Sequence, residues 1–134
     1  MIYAVIDTNV LVSALYTSNH EAATVRVLRH VFNGNVMPLY NQEIIAEYYD
    51  ILLRPKFHFA KEKVETVIKF IKDNGIDSER VPYDDTMPDE DDRVFYEISL
   101  SNDNSFLVTG NLKHFPHTPK VLPPAEFLKE TGLN

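Results

Sequence analysis

The chain has 134 residues, no cysteine, and a net charge of -7 with a pI near 5.1. Its length and its 44% hydrophobic content suit a single domain over residues 1–134 with a real core. The acidic balance argues against broad binding of a phosphate backbone to a basic surface, the missing cysteine excludes disulfides and thiolate metal sites and fits a reducing cytoplasm, and no apolar run reaches the roughly 20 residues that span a bilayer.

Residues 2–6 form a short, β-branched apolar run that predicts a buried strand. Asp7 ends the run. Thr8 and Asn9 then start a helix whose apolar positions Val10, Leu11, Ala14 and Leu15 have helical spacing. A carboxylate therefore sits where a strand gives way to a helix, and ligands of open α/β sheets gather at the carboxyl ends of strands. An Asp at that position can also serve only as a helix cap. Asp7 interrupts the N-terminal run, and no positive stretch precedes it, so the start does not read as a signal peptide.

The spacing next predicts a helix over 21–32, closed by Gly34. A strand over 36–40 follows, and then a helix capped by Asn41 that runs to about Leu53, where Arg54-Pro55 breaks it. Another helix covers roughly 62–72 and stops at Asn74-Gly75. An irregular acidic loop over 83–92 leads into a helix from about Asp92 to Ser101. A strand over 105–109, a turn at Gly110, a short strand at Val121-Leu122 and a helix over 124–129 complete the chain. Strands separated by helices predict a three-layer α/β/α sandwich around a mostly parallel sheet. Right-handed crossovers would bring the Asp7 turn and the Thr109-Gly110-Asn111 turn to the same sheet edge.

Three further segments carry candidate ligands. In the helix after Asn41, Glu47 projects roughly 40° from Ile51 at the edge of the apolar stripe, while Glu43 and Asp50 point further into solvent. Glu47 is the acid drawn toward the interior, or else a stripe-edge side chain that reaches back to water. Asp89-Glu90-Asp91-Asp92 places four acids in a row before an apolar helix. Helix capping needs only one or two of them, and a divalent cation would offset their mutual repulsion. Asp92 is the most firmly placed and Asp89 the next candidate. Asn111, after the strand and the glycine turn, is either an N-cap or a contact to a metal through water. Carboxylates from separate segments, with no cysteine and no histidine pair, suit Mg²⁺ or Mn²⁺, which prefer oxygen donors. Such sites perform phosphoryl chemistry on water and a phosphodiester.

The order Ile-Asp-Thr-Asn-Val, then Glu47 in a helix ending Leu-Leu-Arg-Pro-Lys-Phe, then Pro-Asp-Glu-Asp-Asp, then Leu-Val-Thr-Gly-Asn with His114-Phe115 resembles the PIN domain. The likeness is to its VapC-like branch, the ribonuclease toxins of toxin–antitoxin pairs. The resemblance covers nearly the whole chain. It implies a Mg²⁺- or Mn²⁺-dependent endoribonuclease in which Asp7, Glu47 and Asp92 hold the metal and orient the attacking water, leaving a 5′-phosphate and a 3′-hydroxyl. Asp89 falls on a position that is often acidic. The fourth family acid falls on Asn111, a departure that puts a second metal in question, and Lys113 and His114 stand where another acid is common. Asn9, Thr109 and Lys113 are the expected substrate or outer-shell contacts. An RNA substrate, an antitoxin protein, a homodimer, a cytoplasmic location and no membrane are the implied surroundings.

The five histidines are scattered without ligand spacing, with His114 nearest to the motifs. Tyr48-Tyr49 and Phe57 with Phe59 read as core or helix-groove packing, and in a toxin-like protein some could meet an antitoxin helix. Arg54, Lys56, Lys61 and Lys63 form the main basic cluster, which is either a solvated flank or a contact to RNA. A PIN module that binds RNA or protein without cutting is the alternative, motivated by Asn111 and Lys113-His114. An aspartyl-nucleophile phosphatase is disfavoured, because Asn9 stands where its second Asp would be.

Overall fold

The computed structural model describes residues 1–134. Strand β1 (Ile2–Ile6) leads into helix α1 (Thr8–Tyr16), α2 (Ala23–Phe32) and strand β2 (Val36–Tyr40). Helices α3 (Gln42–Leu52) and α4 (Lys61–Asn74) precede the short strand β3 (Ile76–Asp77). Helix α5 (Arg93–Ser99), strands β4 (Ser105–Val108) and β5 (Val121–Leu122) and helix α6 (Pro124–Thr131) follow. The five strands form one sheet in the order β3-β2-β1-β4-β5, and every pairing is parallel. Helices α1, α2 and α6 pack in one run and α3, α4 and α5 in another, giving the α/β/α sandwich.

The sheet's centre is apolar for a physical reason. A parallel strand covered on both faces buries every side chain, and Ala4, Val5 and Ile6 of β1 are all buried, as are Leu107 and Val108 of β4. Twenty-eight buried apolar residues make one continuous core. Tyr48 lies within it, its hydroxyl donating to the Ile6 carbonyl at the end of β1. That bond ties α3 to the strand that carries Asp7.

Several element ends follow the expected chemistry. The Asn41 side chain accepts the Ile44 N–H and caps α3. Gly34 has φ +80°, the left-handed conformation that closes a helix without a side-chain penalty. Gly75 is required differently: a Cβ there would meet the Ile71 and Pro38 carbonyl oxygens at 2.5 Å, because α4 runs tightly onto β2.

The structure corrects one expectation and adds two features. The helix expected from Asp92 to Ser101 is shorter: Glu90–Asp92 form a single 3₁₀ turn and α5 occupies Arg93–Ser99. The strand β3 at Ile76–Asp77 had no signal, since two residues are too few to show alternation. The acidic loop over 83–92 is irregular as expected up to the 3₁₀ turn, but it is tied down by buried Glu97. The Glu97 carboxylate accepts from Arg80 Nε at 2.7 Å and from the Tyr83 N–H at 2.8 Å. Arg93 then clasps the loop by donating to the Tyr83 and Asp85 carbonyls and to Glu90.

Candidate metal centre

The register of the central strands builds the site. Ile6 pairs with Val108, so the residues after each strand, Asp7 and Thr109, emerge side by side. The Asp7 N–H donates to the Val108 carbonyl at 2.9 Å. The Thr109 hydroxyl, itself fully buried, donates to Asp7 Oδ2 at 2.7 Å. One turn further, the Gly110 N–H donates to Asn9 Oδ1 at 3.1 Å, and the Asn111 N–H donates to Thr109 Oγ1 at 2.9 Å. The two turns are thus sewn together, as right-handed crossovers predict.

Asp7 occupies the N-cap position of α1, yet its carboxylate makes no cap hydrogen bond. Pure capping therefore does not account for it. It is only 5% exposed, with Thr109 as its sole side-chain hydrogen-bond partner. Burial pushes its pKa up to about 7, the Thr109 bond opposes that rise, and the charges of Asp92 and Glu47 add to it.

Glu47 arrives from α3. It is held by the Thr8 hydroxyl, which donates to its Oε2. Partial burial raises its pKa; the Thr8 bond lowers it, and Asp92 raises it further. Asp92 stands at the end of the 3₁₀ turn, and its Oδ2 lies 3.0 Å from His114 Nδ1 and accepts from it when that nitrogen carries the proton. Burial raises its pKa as well, against the His114 bond and with the repulsion of Asp89. Asp89 uses Oδ1 to cap its own turn, accepting the Asp91 N–H at 3.0 Å, and keeps Oδ2 3.6 Å from His114 Nδ1.

Asp7, Glu47, Asp89, Asp92, Asn9 and Asn111 all line one cleft of about 480 Å³, together with Thr8 and His114. Two expected contacts do not. Thr109 lies behind Asp7 with its hydroxyl already engaged, so it orients a carboxylate and does not face the cleft. Lys113 is exposed outside the lining, because the 3₁₀ turn Leu112–His114 turns it away while bringing His114 in. Of the basic cluster, Arg54 and Lys56 reach the cleft rim, whereas Lys61 and Lys63 do not.

His114 is the residue that the sequence undervalued. Ligand atoms of Asp89, Asp92 and His114 lie within 4.8 Å of one another, the spacing of a cation-binding group. No sequence spacing marks it, since 22 residues separate it from Asp92; its place just after the Asn111 turn was the only signal.

The donor set can be tested against a cation directly. Four carboxylates and the Asn111 amide line this cleft, and burial raises the pKa of three of them, Asp7, Glu47 and Asp92. Such groups are stabilised by a hard divalent ion with oxygen ligands, and the residues fit Mg²⁺ or Mn²⁺. The cleft lies at the carboxyl ends of the central parallel strands, where open α/β domains take their ligands, and its Asp89, Asp92 and His114 could hold a metal ion. The family model of the PIN domain matches residues 3–113, and the chain belongs to that family. PIN domains are usually metal-dependent nucleases. Searches of curated proteins and of solved structures return no match. No helix is long and apolar enough to cross a membrane.

Proposed function

We propose that the chain is a Mg²⁺- or Mn²⁺-dependent endoribonuclease that serves as the toxin of a toxin–antitoxin pair. The observation that carries the nuclease reading is Asp7: a carboxylate buried at the end of the central strand, beside two other acids, with a pKa near 7. A protein retains such a group at a cost to stability, and pockets of strongly shifted groups are where function concentrates.

In this reading Asp7, Glu47 and Asp92 hold the cation, with Asp89 and Asn111 at its margin. When bound, the cation supplies Lewis-acid polarisation of the phosphodiester and acidifies water. Thr109 and Thr8 fix the directions of Asp7 and Glu47. Arg54 and Lys56 at the rim draw the polyanion toward a cleft that would otherwise repel it. One of the carboxylates accepts the proton of the attacking water. His114 lines the same cleft and restrains Asp92 through the 3.0 Å contact. The toxin role, an antitoxin partner, a homodimer and a cytoplasmic setting extend the reading by the likeness to VapC-like proteins.

The test is cleavage of a mixed single-stranded RNA with Mn²⁺, with EDTA and with Asp7→Asn. Metal-dependent cutting that Asp7→Asn loses by at least about a hundredfold supports the enzyme. Binding of RNA with no cleavage under any metal favours the non-cutting module, for which neutral Asn111 in place of an acid is the specific observation.

A further inference from the structure

The carboxylate cleft does not end at its acids. It opens onto a second hollow of about 520 Å³, lined by Asn9, Val12, Ser13, Tyr16, Lys56 and Phe57. Asn9, Val12, Lys56 and Phe57 line both, so the two form one continuous depression. Tyr16, the last residue of α1, is 73% exposed, the highest value among the large apolar side chains. Val12 lies one helical turn before it on the same face.

Phe57, half-buried, lines both hollows. Its ring stacks on Phe59 with centroids 5.4 Å apart and planes 10° apart. Lys56 Nζ sits 5.1 Å from the Phe57 ring centroid, which keeps an ammonium at the seam between the hollows. Arg54 and Lys56 are the only Lys or Arg side chains lining the carboxylate cleft. Arg54 pairs with Asp50 at 3.1 Å in an exposed contact, which a phosphate can displace at little cost. The chain is acidic overall, so two cations at this seam are a local exception.

An apolar surface next to cations and continuous with the carboxylate cleft matches a base attached to its phosphate. We propose that Tyr16, Val12 and Phe57 form a nucleobase subsite that stacks one unpaired base of a single-stranded RNA, while Lys56 and Arg54 hold the adjoining phosphate. This rests on the ribonuclease reading and names the strand form its site takes. A base inside a duplex hides both faces, so the subsite selects unpaired RNA. Stacking tolerates any base, so the hollow sets strand form and not sequence.

The probe is a fluorescein-labelled eight-nucleotide RNA of mixed sequence, with binding read by fluorescence anisotropy in Mn²⁺. Asp7→Asn protein is used so that the probe stays intact; it keeps an acceptor for Thr109. Adding Tyr16→Ala or Phe57→Ala weakens binding about tenfold, whereas Tyr16→Phe, which keeps the ring, does not. Lys56→Ala weakens binding and flattens its salt dependence. A duplex of the same sequence competes poorly. The proposal is overturned if Tyr16→Ala binds as tightly as its parent, if duplex and single strand bind alike, or if the Asp7→Asn parent binds no RNA. Cleavage of the unlabelled RNA by the wild-type chain with Mn²⁺, measured separately, shows whether the ribonuclease reading stands when the subsite fails.

Discussion

The Thr109 hydroxyl donates to Asp7 Oδ2 at 2.7 Å, joining the ends of two neighbouring parallel strands that are 102 residues apart in the chain. Everything else in the cleft is arranged around this bond. It is the larger of the two interactions, with the Thr8 backbone N–H, that offset the burial of Asp7, and the offset is incomplete, because the carboxyl still rises from 3.8 to about 7.

That rise has a consequence for stability without metal. A group whose pKa is higher in the fold than in the unfolded chain holds its proton more tightly when folded. The fold is therefore most favoured below pH 3.8 as far as Asp7 is concerned, and it loses stability as pH climbs through 7. The loss amounts to roughly 4 kcal/mol in total for Asp7. Glu47 and Asp92, also raised, act in the same direction. Urea unfolding in EDTA between pH 5 and 8.5 should show a falling midpoint, and Asp7→Asn should remove most of the slope. A flat profile in the wild type would show that Asp7 is not strained.

Metal binding should reverse that trend. A cation needs the ionised carboxylates, so binding near pH 6.5 displaces a proton from Asp7 and strengthens as pH rises. Titration calorimetry with Mn²⁺ in two buffers of different ionisation enthalpy measures the protons released. We expect between about half a proton and one at pH 6.5 and a smaller number at pH 8.5. Equal heats in the two buffers at pH 6.5 would contradict this.

Thr109→Val keeps the shape and removes the donor. Burial is then opposed only by the Thr8 backbone N–H, and the Asp7 pKa moves above 7. The pH at which Mn²⁺ begins to bind should shift upward by the same amount, and the metal-free protein should lose about 1.5–3 kcal/mol at pH 8, the range for a hydrogen bond to a charged group. If Thr109 instead served substrate directly, catalysis would fall with no shift in the metal's pH profile.

Glu97 makes the opposite prediction at low pH. Burial pushes its pKa up, but the Tyr83 N–H bond, Arg80 and Arg93 outweigh burial and hold it below 4.5. Its contribution is present above pH 4.5 and is lost as pH falls further. Glu97→Gln leaves Arg80 and Arg93 without their buried partner, for a cost of about 3 kcal/mol at pH 7. Because this carboxylate anchors the segment that delivers Asp89 and Asp92, the variant should also bind Mn²⁺ more weakly. Unchanged affinity in a folded Glu97→Gln protein would separate the loop's anchoring from the site.

Much of the fold was legible because its signals are local and strong. The β-branched run before Asp7, the cap at Asn41 and the strand over 36–40 each reflect one dominant effect, burial or capping. The site was legible where an acid sits at a strand or helix boundary, as with Asp7 and Asp92. What escaped depends on contacts between distant segments. Nothing near Thr109 says that its hydroxyl will turn inward to Asp7. Nothing near His114 says that it will meet Asp92, and nothing near Glu97 says that it will pin a loop more than ten residues upstream. The turn over Leu112–His114 decides which of Lys113 and His114 faces the acids, and one residue of phase settles it.

Two overlapping groups could hold a cation in this cleft: Asp7 with Glu47 and Asp92, which the proposed function requires, and Asp89 with Asp92 and His114, whose ligand atoms lie within 4.8 Å of one another. A crystal soaked in Mn²⁺ and measured at the manganese edge distinguishes them. An anomalous peak within coordination distance of Asp7, Glu47 and Asp92 is the predicted result. A peak held by Asp89, Asp92 and His114 alone, with Asp7 still bonded only to Thr109, would contradict the assignment of Asp7 as the centre of the site.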